Sequence, residues 1–336
     1  MARARAAGHF TDLDGMRGVL ALTVMLFHLG LNGAVARLTN GFVPVGLWTL
    51  CVDFFFILSG FVLYLSLQRS RPELKRYFIK RLYRLAPMYW IGTLAMVLLL
   101  GFNIPSRVIV ANALMVQSIF KGLVPHLSFI SLDQPGWSVP FELFLPALAL
   151  PLLPAMARID RRSATIIVIA FLAFAGTFTV ALALRHDIAV ARAAFGLGLG
   201  AALARLSQLR PPPAARPALV LALFALVFAI MALAGRVPAL AALFPLLSIG
   251  CVYYGAGTQT FLSTRPFQAI GQWSYSIYLL HIPMLTLVGK TLGDVGGSFP
   301  LKFLVIVSTI AAAALMYRFV EEPLMGGPER PAETAP

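Results

Sequence analysis

Residues 12–28 read DLDGMRGVLALTVMLFH: an ionic cluster at the entry of an apolar helix that carries one histidine. At about 1.5 Å per helical residue, Arg17 and His28 lie ~16 Å apart along the axis, half of a ~30 Å hydrocarbon core. With Arg17 at one membrane face, His28 falls near the midplane. An ionisable side chain there is costly and marks a functional site. Imidazole is also the side chain best matched to taking up and returning a proton near neutral pH.

Other ionisable residues sort by expected depth into two layers. One layer holds Asp14 and Arg17, Arg81 and Arg84 in KRLYRLAPMYW, and Glu321 and Glu322 in RFVEEPL. Arg81 and Arg84 are three apart and share a helix face. Their planar forks suit phosphate, which accepts two parallel hydrogen bonds from one guanidinium. The basic loop 69–80 reads more simply as an orientation signal. The opposite layer holds Asp53 in CVDFFFILSGF, Glu142 in GWSVPFELF and His281 in YSIYLLHIPM. By residue count, Asp53 lies ~10 Å and His281 ~12 Å below the outer surface, with Glu142 about as deep as Asp53 or slightly shallower. One such residue can be a hydrogen-bond partner between helices; several at similar depth point to a polar cavity. Asp133 and His126, in the outer loop, are candidates for its mouth. In the SGF triplet, Gly60 permits close helix approach and Ser59 is a candidate donor to a ligand.

The elements that must position these residues are membrane helices. The chain has 336 residues, of which 59% are hydrophobic and only 12% charged, with a mean hydropathy of +0.84. Soluble domains carry about 25% charge, so the expected fold is all-α and polytopic. Ten apolar spans are expected, near 16–36, 46–68, 84–101, 137–157, 163–184, 188–206, 217–235, 238–262, 267–289 and 301–320. Residues 106–120 are too short and amphipathic to cross and read as interfacial or re-entrant. Nineteen Lys and Arg fall on the face shared with the N-terminus and seven on the other, with Arg192 inside a span. That asymmetry puts both termini in the cytoplasm, and the inner (plasma) membrane is the expected location.

The same punctuation of apolar runs by basic residues argues against a nucleic-acid partner for the net charge of +14. The first span lacks a small-residue cleavage site and reads as retained. Residues 1–11 read as a cytoplasmic segment, 12–325 as the membrane domain and 326–336 as a disordered tail. Cys51 and Cys251 offer no metal-binding spacing, and no metal is expected.

Six motifs, in order, resemble the acyltransferase-3 membrane family: LDGMRG followed by His28, VDFFFILSGFVL, RLYRLAPMYW, WSVPFE, YSIYLLHIPM and FVEEPL. The resemblance spans 12–325. Departures are mild: Met16 stands where leucine is usual, and Pro140 interrupts the fourth-span motif. The family O-acylates extracytoplasmic carbohydrates and lipids, commonly from cytoplasmic acetyl-CoA. The resemblance thus implies acetyl-CoA or another acyl-CoA as co-substrate, Arg17, Arg81 and Arg84 (with Ser59) as its contacts, and His28 as the catalytic residue. Asp53 or Glu142 is expected to orient His28 or grip the acceptor. Trp137, Ser138, Tyr278 and His281 are expected to contact the acceptor, a carbohydrate or glycolipid. Asp14 and Glu322 are expected at the cytoplasmic mouth.

In the expected mechanism, His28 takes the proton of an acceptor hydroxyl and the oxygen attacks the thioester. An acyl-histidine intermediate is the variant. The competing class is a transporter or flippase with proton coupling through His28 and Asp53. The missing inverted repeat counts against it, as does an anion-binding layer stacked below a single histidine. A scaffold or sensor with a decayed site is disfavoured because every motif residue is present.

Overall fold

The computed structural model describes residues 10–31, 33, 48–101, 103–119, 130–213 and 215–325. His126, most of the expected N-terminal segment and the tail from 326 lie outside the described residues, as does the outer end of the first expected span.

Among the described residues the chain is helical, without strands. In order the helices are α1 (Thr11–His28), α2 (Leu50–Ser70), α3 (Leu74–Leu100), a short α4 (Ser106–Ala113), α5 (Val139–Ala149), α6 (Leu153–Arg158), α7 (Arg161–Ala183), α8 (Ala189–Leu209), α9 (Pro217–Leu233), α10 (Leu243–Gly255), α11 (Arg265–Leu292), α12 (Phe299–Met316) and α13 (Glu322–Leu324). Among the described residues, seven helical stretches are long and apolar enough to cross a membrane: α2, α3, 134–158, α7, α8, 238–255 and 299–324. The other three long helices fall short for separate reasons. The 18 residues of α1 include Asp12, Asp14 and Arg17. Helix α9 has 17 residues. Helix α11 carries a polar face of Gln, Ser, Tyr and His.

Expected spans shift or break in places; the one expected over 238–262, for instance, ends at Gly255. Helix α3 starts at Leu74, ten residues before the expected 84, because the basic turn preceding the apolar run is itself helical. The stretch 134–158 is not one α-helix. It alternates between 3-10 turns (Gln134–Ser138 and Leu150–Leu152) and the short α5 and α6. Pro135, Pro140, Pro146, Pro151 and Pro154 each remove a backbone donor there. Helix α4 is about 12 Å long, too short to cross, in line with the interfacial reading. It is tied down by Asn112, which donates to the Ile130 carbonyl and accepts from the Leu132 amide.

Two tight helix pairs hold the site. Helices α2 and α8 touch backbone to backbone: a Cβ on Gly60 would collide with the Leu197 carbonyl, and one on Gly200 with that of Ile57. Small residues at a membrane helix crossing permit this approach. Helices α1 and α11 run parallel, and Gly18 sits against the backbone of Gly271. The pair is joined at one end by Arg17 with Ser274 and at the other by His28 with His281. On the periphery, Leu98, Ile169 and Phe303 are 62%, 60% and 60% exposed. Lipid, which is as apolar as these side chains, is their natural neighbour.

Candidate functional site

Arg17, Arg81 and Arg84 come together in one cavity of about 200 Å³, with Ser59, Glu142 and Glu321 in its walls. Arg17 is fixed by three contacts. Its Nε donates to Ser274 Oγ at 3.0 Å, its Nη2 to the Gly271 carbonyl at 3.0 Å, and it pairs with Asp14 Oδ1 at 3.0 Å. Arg81 donates to the Glu142 carbonyl at 3.1 Å and lies 3.9 Å from the Glu142 carboxylate. Ser59 Oγ donates to Glu142 Oε1 at 3.4 Å. Arg84 differs from both: it lines the cavity but hydrogen-bonds to none of the described residues. Glu142 and Glu321 act on it through space across the cavity, while its N–H donors remain open to an anion.

Glu321 reaches this cavity through an irregularity. Residues Tyr317–Glu321 form a π-helical turn, which adds one residue per turn and rotates Glu321 inward. Its carboxylate accepts from Ser276 Oγ. Glu322, the residue expected at the mouth, is exposed and pairs with Arg318 at 3.3 Å. The inward acid is therefore Glu321. A regular helical period does not predict this register.

His28 lines a second, larger cavity of about 520 Å³, together with Trp48, Gln134, Trp137, Asp187 and Arg192. It is the last residue of α1. Its Nδ1 lies 3.0 Å from the Val24 carbonyl and 3.1 Å from Nε2 of the buried His281. The Nδ1 of His281 lies 3.1 Å from the Ile277 carbonyl. Arg192 is 3% exposed, and its fork grips Asp53 at 3.0 and 2.5 Å while Nη1 reaches Asp187 at 2.9 Å. The same guanidinium stacks over Trp137, 5.4 Å from the ring centroid.

The two cavities share one wall. Tyr278 lines both, and its hydroxyl is 3.1 Å from Ser138 Oγ. Ser138 faces the arginine cavity and Trp137 the histidine cavity. Consecutive residues of a 3-10 turn point about 120° apart, so the turn at Gln134–Ser138 lets neighbours in sequence serve opposite chambers. The arginines and the histidine thus line two chambers divided at Tyr278.

His28, Asp53 and Glu142 are not brought together. His28 meets His281, Asp53 meets Arg192, and Glu142 meets Arg81. Glu142 belongs to the arginine cavity and not to the outer layer, because the turn after Trp137 carries it past the dividing wall. His281 is buried behind His28 and is not among the cavity-lining residues, and Asp133 is fully buried and lines neither chamber. Two residues enter without an expected role, Asp187 and Arg192, the latter foreseen only as a cation inside a span; Glu321 lies with the arginines of its expected layer. Arg192 had left a signal, since a cation inside a span requires an anion at its depth, and Asp53 was already assigned to that depth.

A family model described as an acyltransferase domain matches residues 10–318, nearly the whole chain. No curated protein and no solved structure matches it.

Proposed function

The chain belongs to the acyltransferase-3 family and is a multi-pass membrane acyltransferase; from that premise we propose that it moves an acetyl group from cytoplasmic acetyl-CoA to a hydroxyl of an extracytoplasmic carbohydrate or glycolipid. In this reading ten helices cross the inner membrane, both termini are cytoplasmic and the arginine cavity opens inward.

The observation that carries the proposal is the pair of chambers meeting at Tyr278, one lined by guanidinium and the other by imidazole. A volume of about 200 Å³ is below the ~300–1,000 Å³ of typical ligand pockets. It suits part of the co-substrate: the phosphates near Arg84, within the frame held by Arg17 and Arg81, and the pantetheine arm running to the Ser138–Tyr278 wall. The larger chamber, about 520 Å³, fits one or two sugar rings, with Trp137 as an apolar platform.

His28 acts as general base. It takes the proton of the acceptor hydroxyl, and the oxygen adds to the thioester carbonyl. Collapse breaks the C–S bond, and the leaving thiolate takes the proton back. A positioned base of this kind contributes about 10²–10⁴-fold. The test is incubation of the purified protein with acetyl-labelled acetyl-CoA and a cell-envelope glycan fraction. Release of free CoA with label in the glycan supports acyl transfer. Movement of an intact substrate across proteoliposomes without thioester loss supports a transporter instead.

A further inference from the structure

Proton counting along the contacts behind His28 assigns a role to a residue outside both chambers. A carbonyl oxygen carries no proton, so each imidazole nitrogen facing one must donate. His281 Nδ1 faces the Ile277 carbonyl at 3.1 Å and is therefore the protonated nitrogen of that ring. In a neutral imidazole the other nitrogen is then an acceptor. That acceptor, Nε2, is 3.1 Å from His28 Nδ1, which itself faces the Val24 carbonyl at 3.0 Å. His28 Nδ1 consequently carries the hydrogen and shares it between the two acceptors. One tautomer satisfies every contact, and it leaves the lone pair of His28 on Nε2.

We propose that His281 is a positioning residue that locks His28 in the Nδ1-protonated tautomer, so that Nε2 is the proton-accepting atom in the outer chamber. The inference deepens the reading of His28 as the general base and rests on it. When the acceptor hydroxyl gives its proton to Nε2, the ring becomes an imidazolium. Its Nδ1–H then donates more strongly to His281 Nε2 and the Val24 carbonyl. When the thiolate leaves, the proton returns from Nε2 to sulfur, and His281 is unchanged throughout. A carboxylate commonly orients a catalytic histidine. Here the carboxylate that lines the same chamber, Asp187, reaches Arg192, and the same guanidinium also matches Asp53. A neutral imidazole does the orienting without adding an unpaired charge to the membrane interior.

The spacing along the helices makes the arrangement. His281 and Ile277 are four apart on α11, as His28 and Val24 are on α1, so each ring folds back onto the carbonyl one turn earlier. The tight crossing at Gly18 and Gly271 draws the two helices together so that the rings meet. Rescue by a different acceptor is possible because the side-chain amide oxygen of glutamine reaches about as far as imidazole Nε2.

The test uses the full-length protein labelled with ¹⁵N-histidine in detergent micelles, with His28 assigned by the signal lost in His28→Ala. The two-bond ¹⁵N–¹H spectrum should show His28 protonated at Nδ1 and bare at Nε2. In His281→Leu the Val24 carbonyl is left as the sole acceptor for Nδ1–H, so a minor Nε2-protonated population should appear, and kcat should fall about 10- to 100-fold with the KM for acetyl-CoA unchanged. His281→Gln should restore the single tautomer and most of the kcat. An Nε2-protonated His28 in the wild-type protein would overturn the inference, as would an unchanged tautomer in His281→Leu. The spectrum needs no substrate. A protein that shows the stated tautomer yet transfers no acyl group upholds this assignment while sinking the acyl-transfer reading.

Discussion

Arg192 and Arg84 both sit in cavity walls, and their surroundings are opposite. Arg192 gives its whole fork to Asp53 and a further donor to Asp187, so two carboxylates answer one guanidinium. Arg84 shares its chamber with Arg17 and Arg81 and hydrogen-bonds to none of the described residues. The histidine chamber therefore offers an incoming molecule little positive charge. The arginine chamber offers a guanidinium with its donors unspent. An anion gains most in the second, where the exposed Arg84 keeps its donors open, and an uncharged polyol in the first, where the one guanidinium is already matched by two carboxylates. The contrast teaches that an arginine's value to a ligand depends on what the protein has already done with its hydrogens.

Six substitutions probe that contrast. The largest effect is expected for His28→Ala, which removes the imidazole of one chamber while sparing the guanidinium groups of the other. Acyl transfer should drop by about 10³-fold or more, with acetyl-CoA binding by titration calorimetry retained; full activity would end the base assignment. Next, Arg192→Leu strands the buried Asp53 carboxylate. A loss of about 3–5 kcal/mol is expected, as for other buried pairs broken on one side, read as a fall in the melting temperature of the detergent-solubilised protein. Pairing it with Asp53→Asn should recover much of the loss, and no recovery would mean the two are not energetically coupled.

Arg84→Ala tests the other side of the comparison. A charge-assisted hydrogen bond to phosphate is worth about 1.5–3 kcal/mol, so the Kd for CoA should rise at least ~10-fold while acceptor binding holds. Equal affinity in the variant would show that the free guanidinium is not the phosphate contact. The smallest effect is expected for Glu322→Gln. Its exposed pair with Arg318 is worth under about 1 kcal/mol, so thermal stability and CoA affinity should stay close to wild type. Glu321→Gln, one position earlier but inside the arginine cavity, should change CoA affinity measurably. A reversal of that order would contradict the π-turn register.

Much of the site was legible because membrane helices obey depth. Arg17, Arg81 and Arg84 were assigned to one layer from residue count alone, and they share one cavity. Gly60 was read as a close-approach residue, and α8 lies against it. Depth, however, is one coordinate of three. It says nothing about which helices are neighbours, and so Asp53 was offered to His28 when its partner is Arg192 on a different helix. Glu142 was misplaced for a local reason: the proline-rich stretch begins with a 3-10 turn, whose rise and rotation differ from those of an α-helix. Glu322 was chosen over Glu321 because a π-turn shifts register by a residue, and no periodicity in RFVEEPL announces it.

By itself the sequence determined that the chain is helical and membrane-bound, that its ionisable residues cluster at a few depths, and that His28 stands some 16 Å from Arg17 along one helix. These follow from hydropathy and from the constant rise of an α-helix, which are local properties. Tertiary structure alone decided that the guanidinium and imidazole chambers are separate, that Tyr278 divides them, and that His28 faces another histidine instead of a carboxylate. Those depend on which helices pack together and how they are rotated. Packing is set by close glycine contacts and irregular turns acting across hundreds of residues of chain, and no single segment encodes it.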